Sequence, residues 1–444
     1  MNAAAQLQTD LARLFRRTGQ GIKFDLGPTA ALLRRLGDPQ RSLAAVHVAG
    51  TNGKGSVCAM IEAVLRAAGH RTALYTSPHL VRFNERIRVG GACIGDDELA
   101  ALFREIETVD RELAAGTNGR ELTFFEFTTA LALEHFRRAG AQVAVVETGM
   151  GGRLDATNVV EPLLAIITRI DIEHTAFLGK TPPDIAAEKA GIIKPGRPVL
   201  CGLMPEDARA VIRRVARERG APLIAVEDAA SIRRLKQDWT GQKIKIETAN
   251  GSYPPVTLPL LGAHQLENVA LAVAALEWLN GSAPFRWEVT ALHAGLTAVQ
   301  WPGRCQVLAR EPVTLLDVAH NPNGAAALAD TLRELAGRQP VGLVAGLLGD
   351  KDGAGFFRAL APRISRCWAV PLASERNMPR EQLLGSARSA GLDADYLPLD
   401  QALAAARAWA LANDGIVCIA GSLVLAGAVL AAAGLTPFPG DNQK

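Results

Sequence analysis

An apolar, β-branched run that passes through a glycine-rich turn straight into a helical pattern leaves a chain few ways to fold. AVHVAGTNGKGSVCAMIEAVL does this over residues 45–65. A strand of this kind is buried on both faces, and the helix that follows it is a crossover, so the segment predicts a mostly parallel sheet covered by helices. The turn Gly50-Thr51-Asn52-Gly53-Lys54-Gly55-Ser56 brings backbone N–H groups and a helix N-terminus to one point where a polyphosphate fits. Lys54 adds a positive charge there and Ser56 a hydroxyl. The strict P-loop pattern would place Gly at Val48 and Ser or Thr at Gly55, and it is not met. No GxGxxG occurs, so a dinucleotide-binding reading has no fingerprint.

The same rhythm continues along the chain: TALYTS, a helix near Asp96 to Ala115, FEFTTALALEHFRRAG then VAVVETG, LLAIITRI, and RPVLCG. A more polar stretch, roughly Ala229 to Pro259, has turn signals at Asn250-Gly251 and Pro254-Pro255 and reads as a few antiparallel strands. Past LENVALAVAALEWLN the chain meets Trp301-Pro302-Gly303 and restarts with VTLLDVAHNP, VGLVAGLLGD, CWAVPL and IVCIAG. The expected class is therefore α/β, with residues 1–298 as a first domain, 299–304 as a linker and 305–444 as a second, doubly wound domain. At 444 residues the chain is long enough for each to bury a core. Lys plus Arg number 48 against 45 Asp plus Glu, interspersed, so no nucleic-acid arm is expected. The six cysteines form no CxxC pair and indicate neither a zinc ribbon nor a disulfide framework, which fits a reducing cytoplasm. MNAAAQLQTDLARLFRR places Asp10 and three arginines where a secretory signal needs an apolar core, so an amphipathic helix is expected there. Ile416 to Leu435 has membrane-span length without a charge, but Gly421-Ser422 divides it into a strand, a turn and a buried helix.

Several polar residues fall at the carboxyl ends of predicted strands, where ligands of α/β sheets bind. Glu147 ends QVAVVE, ahead of Gly149, Gly151 and Gly152. Beside a phosphate loop its role is to hold Mg²⁺, a hard cation that takes oxygen ligands. His174, after LLAIITRI, reaches toward the same crevice. Ser77 in TSPHLVRFNERIRV reads either as a ligand or as a structural turn serine. Glu126 in LTFFEFTTALAL lies between aromatics at a helix start and reads equally as a paired structural carboxylate or a substrate contact. Lys189 in DIAAEKAGIIKPG, judged from its neighbours, is an exposed helix lysine. In LLDVAHNPNGAAAL, Asp317, His320 and Asn321 lie at a strand end facing the first domain. Arg304 reads as a linker arginine or as a phosphate ligand reaching across the cleft.

Taken together, HVAGTNGKGS, YTSPHLVRFNERI, FFEF, VVETGMGGRLDATN, EKAGIIK, WPGR, DVAHNP, GLLGDKD and AGS resemble, in order and nearly end to end, the folylpolyglutamate synthase and dihydrofolate synthase family within the Mur-type amide-bond ligases. The resemblance implies an N-terminal P-loop ATPase domain, like the Mur-ligase central domain, that also binds the pterin. A C-terminal Rossmann-like glutamate-ligase domain would follow. The family's phosphate loop has this GTNGKG form, so the departure from the strict pattern is expected.

By the same resemblance Thr51, Asn52, Gly53, Lys54, Gly55 and Ser56, with Asn268, Arg304 and Asp317, would bind ATP, and Ser77, Glu147 and His174 would bind magnesium. Lys189 looks like the family's carbamylated lysine, a cation turned into a carboxylate that faces the metal. Lys54, Lys189 and His320 would be catalytic. Pteroate would lie near Lys23, Phe24 and Asp25, near Thr123, Phe124, Phe125 and Glu126, and near Leu154, Asp155 and Ala156. The implied cofactors are ATP and Mg²⁺ at two sites, with room for a monovalent cation. The implied partners are dihydropteroate, reduced folates and L-glutamate, with no nucleic acid and no membrane, for a cytoplasmic monomer. The segments IKFDLG, SPHL and DVAHNP resemble the bifunctional bacterial enzymes more than a folylpolyglutamate synthase alone. A Mur-type ligase of cell-wall synthesis would need a uridine-nucleotide domain ahead of the loop, and Gly50 leaves too little chain for one.

Overall fold

The computed structural model describes residues 3–21, 23, 25–117, 119–172 and 175–438. Its largest sheet is built from β1 (Ala44–Ala49), β2 (Thr72–Tyr75), β3 (Ile87–Val89), β4 (Ala92–Cys93), β5 (Val143–Glu147), β6 (Leu164–Ile167), β7 (Val199–Cys201) and β8 (Leu223–Ala225), in the order β4-β3-β2-β5-β1-β6-β7-β8. From β2 to β8 every pairing is parallel, and β3 and β4 extend the β2 edge antiparallel. Val46 and Val48 of β1 point into one core layer and Ala45 and Ala49 into layers on the other face. That two-sided burial is what an uninterrupted apolar strand requires.

The polar stretch forms a separate antiparallel sheet of β9 (Ala230–Asp238), β10 (Gly241–Thr248) and β11 (Gly251–Leu258), in the order β11-β10-β9. Asn250-Gly251 makes its turn as expected. Pro254-Pro255 does not: the two prolines lie inside β11, an edge strand, opposite a register shift between Ile244 and Ile246. Pro lacks the N–H that a ladder needs, and an edge strand at a bulge is where that lack is tolerated.

The third sheet runs β12-β13-β17-β14-β15-β16, with β12 (Gln306–Arg310), β13 (Val313–Leu316), β14 (Val341–Ala345), β15 (Arg366–Ala369), β16 (Ala394–Tyr396) and β17 (Ile416–Ala420). It is parallel apart from β12. β17 is followed by Gly421 and by the helix Leu423–Ala432, whose first turn is capped by the Ser422 hydroxyl accepting from the Leu425 amide. Among the described residues no helix is long and apolar enough to cross a membrane. The helix Ala3–Arg16 buries Leu7, Leu11 and Leu14 and is amphipathic as expected.

Candidate active site

The phosphate loop is held from three sides before any ligand is considered. The Thr51 amide donates to the Arg169 carbonyl at 2.8 Å, and the Thr168 hydroxyl donates to the Asn52 carbonyl at 2.7 Å, so the segment after β6 supports the turn after β1. Gly53 caps the helix Lys54–Ala67 at φ +89°, a conformation that disfavours any side chain, and a Cβ there would stand 2.4 Å from Asn268 Oδ1. Asn268 Nδ2 donates to Gln265 Oε1, and Gln265 Nε2 reaches the Ser56 hydroxyl at 3.4 Å, tying the helix His264–Ser282 to the loop. Lys54 curls back, its ammonium donating to the carbonyls of Gly50 and Thr51 at 3.0 and 3.2 Å.

Gly55 stands where the strict pattern has a hydroxyl residue, and the fold gives the reason. A Cβ at Gly55 would come within 2.4 Å of the Trp301 ring, so the indole occupies that space. Trp301, which in the sequence marked only a boundary, is packed on the phosphate loop.

Ser77 and Glu147 meet at the ends of β2 and β5. The Ser77 amide donates to Glu147 Oε2 at 3.0 Å. Glu147 is 5% exposed, and burial raises its pKa against the opposing pull of Lys54, the Ser77 amide, Arg304 and Arg86. Arg304, half-buried just past Trp301-Pro302-Gly303, lies in the field of both Asp317 and Glu147. The loop behind Ser77 is rigid: Leu80, Val81 and Arg82 all donate backbone N–H groups to the Glu85 carboxylate, and Arg86 Nε donates to His79 Nδ1 at 2.8 Å. Burial and the neighbouring Arg86 push the His79 pKa down to about 3, so the ring is neutral.

Lys189 is buried at 3% exposure, contrary to the expectation from its neighbours. The reason lies in the glycines after β5: Gly152 packs against the carbonyls of Glu188 and Lys189, and Arg153 donates from its backbone to Glu188 and pairs with its carboxylate at 2.9 Å. The end of the helix Pro182–Ala190 is thereby packed against the turn after β5.

Glu126 is a paired carboxylate. Both carboxylate oxygens are taken, by the Thr123 amide and by a bidentate Arg120, in a capping box at the start of the helix Phe124–Arg138. Phe124 stacks on Phe15 at 5.0 Å, while Phe125 lies over the backbone of Gly149. Asp25 is exposed, accepts from the Gly27 amide and lies in the field of Arg120, which places it beside the Thr123–Glu126 turn; Lys23 is exposed. Asp155 is buried between Ala156 and the half-buried Leu154, and it accepts from the amides of Met150 and Thr157 and from the Thr157 hydroxyl. Because that hydroxyl donates to Asp155, His47 Nε2–H is the donor in the 2.8 Å contact with Thr157 Oγ. Burial pushes His47 down to about 3. Phe24 and His174 lie outside the described residues.

In the other sheet Asp317 is occupied by backbone: Oδ2 accepts from the Cys305 amide at 2.8 Å and Oδ1 from the Ala319 amide at 2.7 Å. His320 Nδ1–H donates to the Val318 carbonyl at 2.9 Å, and the Asn321 side chain caps the helix Pro322–Ala336. Sequence reasoning missed Arg86, His79 and the structural work of Trp301. Each sits within a recognised segment, but none has a local pattern that marks it.

Residues 48–276 match the Mur ligase middle domain and residues 303–423 the Mur ligase glutamate ligase domain. The dihydrofolate synthase/folylpolyglutamate synthase of Bacillus subtilis is 39% identical over 341 residues, 77% of this chain and 79% of its own. That of Escherichia coli is 34% identical over 417 residues, covering 94% and 93%. The chain belongs to this family. Among solved structures, Mycobacterium tuberculosis folylpolyglutamate synthase complexed with ADP superposes with a TM-score of 0.92 at 34% identity over 98% of this chain and all of that one. Escherichia coli FolC in complex with DHPP and ADP gives 0.85 at 32% identity, over 96% and 97%. The dihydrofolate synthase/folylpolyglutamate synthase family consists of ATP-dependent ligases of the Mur type, and the α/β architecture expected from the sequence is the one observed.

Proposed function

We propose that this chain joins the α-amine of L-glutamate to the carboxylate of dihydropteroate and to that of reduced folates. The observation that carries the reading is the meeting of Lys54, Ser77, Glu147 and Arg304, from the large sheet and the linker, at the carboxyl ends of β1, β2 and β5. A carboxylate is a poor acyl donor, so its oxygen first attacks the γ-phosphorus of ATP, giving an acyl phosphate and ADP. The amine then attacks the acyl carbon, and a tetrahedral intermediate collapses to amide and inorganic phosphate, with the amine proton released.

No nucleophilic side chain is needed; the protein positions groups and offsets charge. Thr51 to Ser56 and Asn268 cradle the phosphates, Lys54 and Arg304 stand at the transferred group, and Asp317 shapes the turn from which Arg304 projects. His320, held at Nδ1 by the Val318 carbonyl, acts from the second unit. Pteroate lies along Lys23, Phe24, Asp25, Phe124, Phe125 and the Leu154–Ala156 turn, with Thr123 and Glu126 holding that wall. Ser77 Oγ and Glu147 Oε1 are oxygens beside the phosphate loop, a donor set that suits Mg²⁺, and His174 and a carbamylated Lys189 would complete two such sites. Mg²⁺ supplies charge neutralisation at the phosphates. Residues 1–298 and 305–444 act as two domains about the linker 299–304, whose closure keeps water from the acyl phosphate. The protein works as a cytoplasmic monomer.

The test is ADP release with MgATP and L-glutamate, comparing dihydropteroate with tetrahydrofolate. Turnover with both is expected. Turnover with tetrahydrofolate alone would leave a folylpolyglutamate synthase, as the 35%-identical Lacticaseibacillus casei relative is named.

A further inference from the structure

After the helix Leu423–Ala432 the chain returns to the large sheet, where Phe438 lies 3.9 Å from the guanidinium of Arg88 on β3. The Trp301 ring is 5.3 Å from the same guanidinium and 5.9 Å from Phe438. Arg88 is 5% exposed, and its Nε and Nη2 atoms have no hydrogen-bond partner among the described residues. A buried cation of this kind needs compensation, and the two ring faces supply it. The six-membered ring of Trp301 also rests on Gly55, the residue after Lys54, with no room for even a methyl group between them.

Three segments far apart in sequence therefore form one continuous stack that ends on the phosphate loop. Two features distinguish it from ordinary core packing. It brings the chain beyond the helix Leu423–Ala432 back onto the large sheet, and the residue that Trp301 presses on lies in the first turn of the helix whose N-terminus faces the phosphates. We infer that Phe438 is a positioning residue for the nucleotide: it holds Trp301 against Gly55 and so fixes the phosphate loop in its binding geometry. The inference rests on the reading of that loop as the ATP site.

The experiment compares wild type, Phe438→Leu and Phe438→Tyr by calorimetric ADP binding and by steady-state kinetics. Phe438→Leu keeps an apolar side chain but removes the ring face, and it should weaken ADP binding and raise the KM for ATP about tenfold, the scale of one desolvated ring contact. The KM for glutamate and kcat at saturating ATP should stay within about twofold of wild type, as expected where ground-state and transition-state binding are lost equally. Phe438→Tyr should restore ADP affinity. Unchanged ADP affinity in Phe438→Leu, with or without a lower melting temperature, overturns the inference, as does an equal rise in every KM. Failure of the wild type to bind ADP would instead overturn the functional reading.

Discussion

Gly427 and Leu80 touch across the two units: a Cβ added at Gly427 would stand 2.0 Å from the Leu80 carbonyl oxygen. Gly427 is in the helix Leu423–Ala432, and Leu80 is in the loop that carries Ser77 and whose amide at Ser77 binds Glu147. Leu80 and Val81 also pack against the apolar cluster of Leu316, Val318, Trp368 and Leu425. The loop that carries Ser77 is thus seated on the second unit, and Glu85 ties three of its amides together.

Gly427→Ala should therefore act at a distance. Backbone must shift to admit the methyl group, at a cost of about 1–3 kcal/mol of stability. The displaced loop should lower kcat by about ten- to a hundredfold, the effect of a misplacement near 1 Å. ADP release together with a melting curve checks this, and a fully active Gly427→Ala would mean that the helix slides without carrying Ser77 with it.

Glu147→Gln separates stability from function. Burial disfavours the ionised carboxylate in the folded protein, so the neutral isostere should leave the melting temperature unchanged or raise it. Turnover should fall by about a hundredfold or more, because the amide offers no charge to a bound cation. Thermal melting and ADP release on the same preparation show both effects.

Glu126→Gln should do the reverse. The loss of the bidentate Arg120 pair should cost about 1–3 kcal/mol of stability, while Gln keeps an oxygen to accept from the Thr123 amide. The KM for dihydropteroate should change by no more than about twofold, since uniform binding to this side chain is not at stake. A large KM effect with unchanged stability would return Glu126 to the substrate site.

His47 gives a pH signature. Its pKa is near 6.5 in the unfolded chain and about 3 in the folded protein, so between those values the unfolded state holds the extra proton. Stability from this residue is present above pH 6.5 and is lost as pH falls toward 3, at about 1.4 kcal/mol per pH unit. His47→Gln keeps a donor for Thr157 and removes the titration, so urea melts between pH 6.5 and 4 should show a slope shallower by about one proton.

Much of this was legible in the chain because it depends on neighbours in sequence. The turn Gly50–Ser56 follows from a strand that stops and a helix that starts, and Glu147 falls at a strand end because QVAVVE is apolar up to that residue. The capping box at Thr123 and Glu126 has its own three-residue spacing, yet the sequence could not choose between cap and substrate contact. Only the fold shows that Arg120 closes on both Glu126 oxygens.

Lys189 marks the boundary between the two kinds of information. Its neighbours describe an exposed helix end, while the glycines after β5, about forty residues earlier, make room for that helix to pack closely and bury the lysine. By itself the sequence determined the α/β class, the phosphate loop, the strand-end carboxylate and the family, because periodicity, turn chemistry and ordered motifs are local or additive properties. The tertiary structure alone decided that Trp301 makes Gly55 obligatory, that the Ser77 amide binds Glu147, and that Gly427 seats the Ser77 loop. Each of these is a close approach between segments separated by many residues, and steric exclusion and buried charge act through space rather than along the chain.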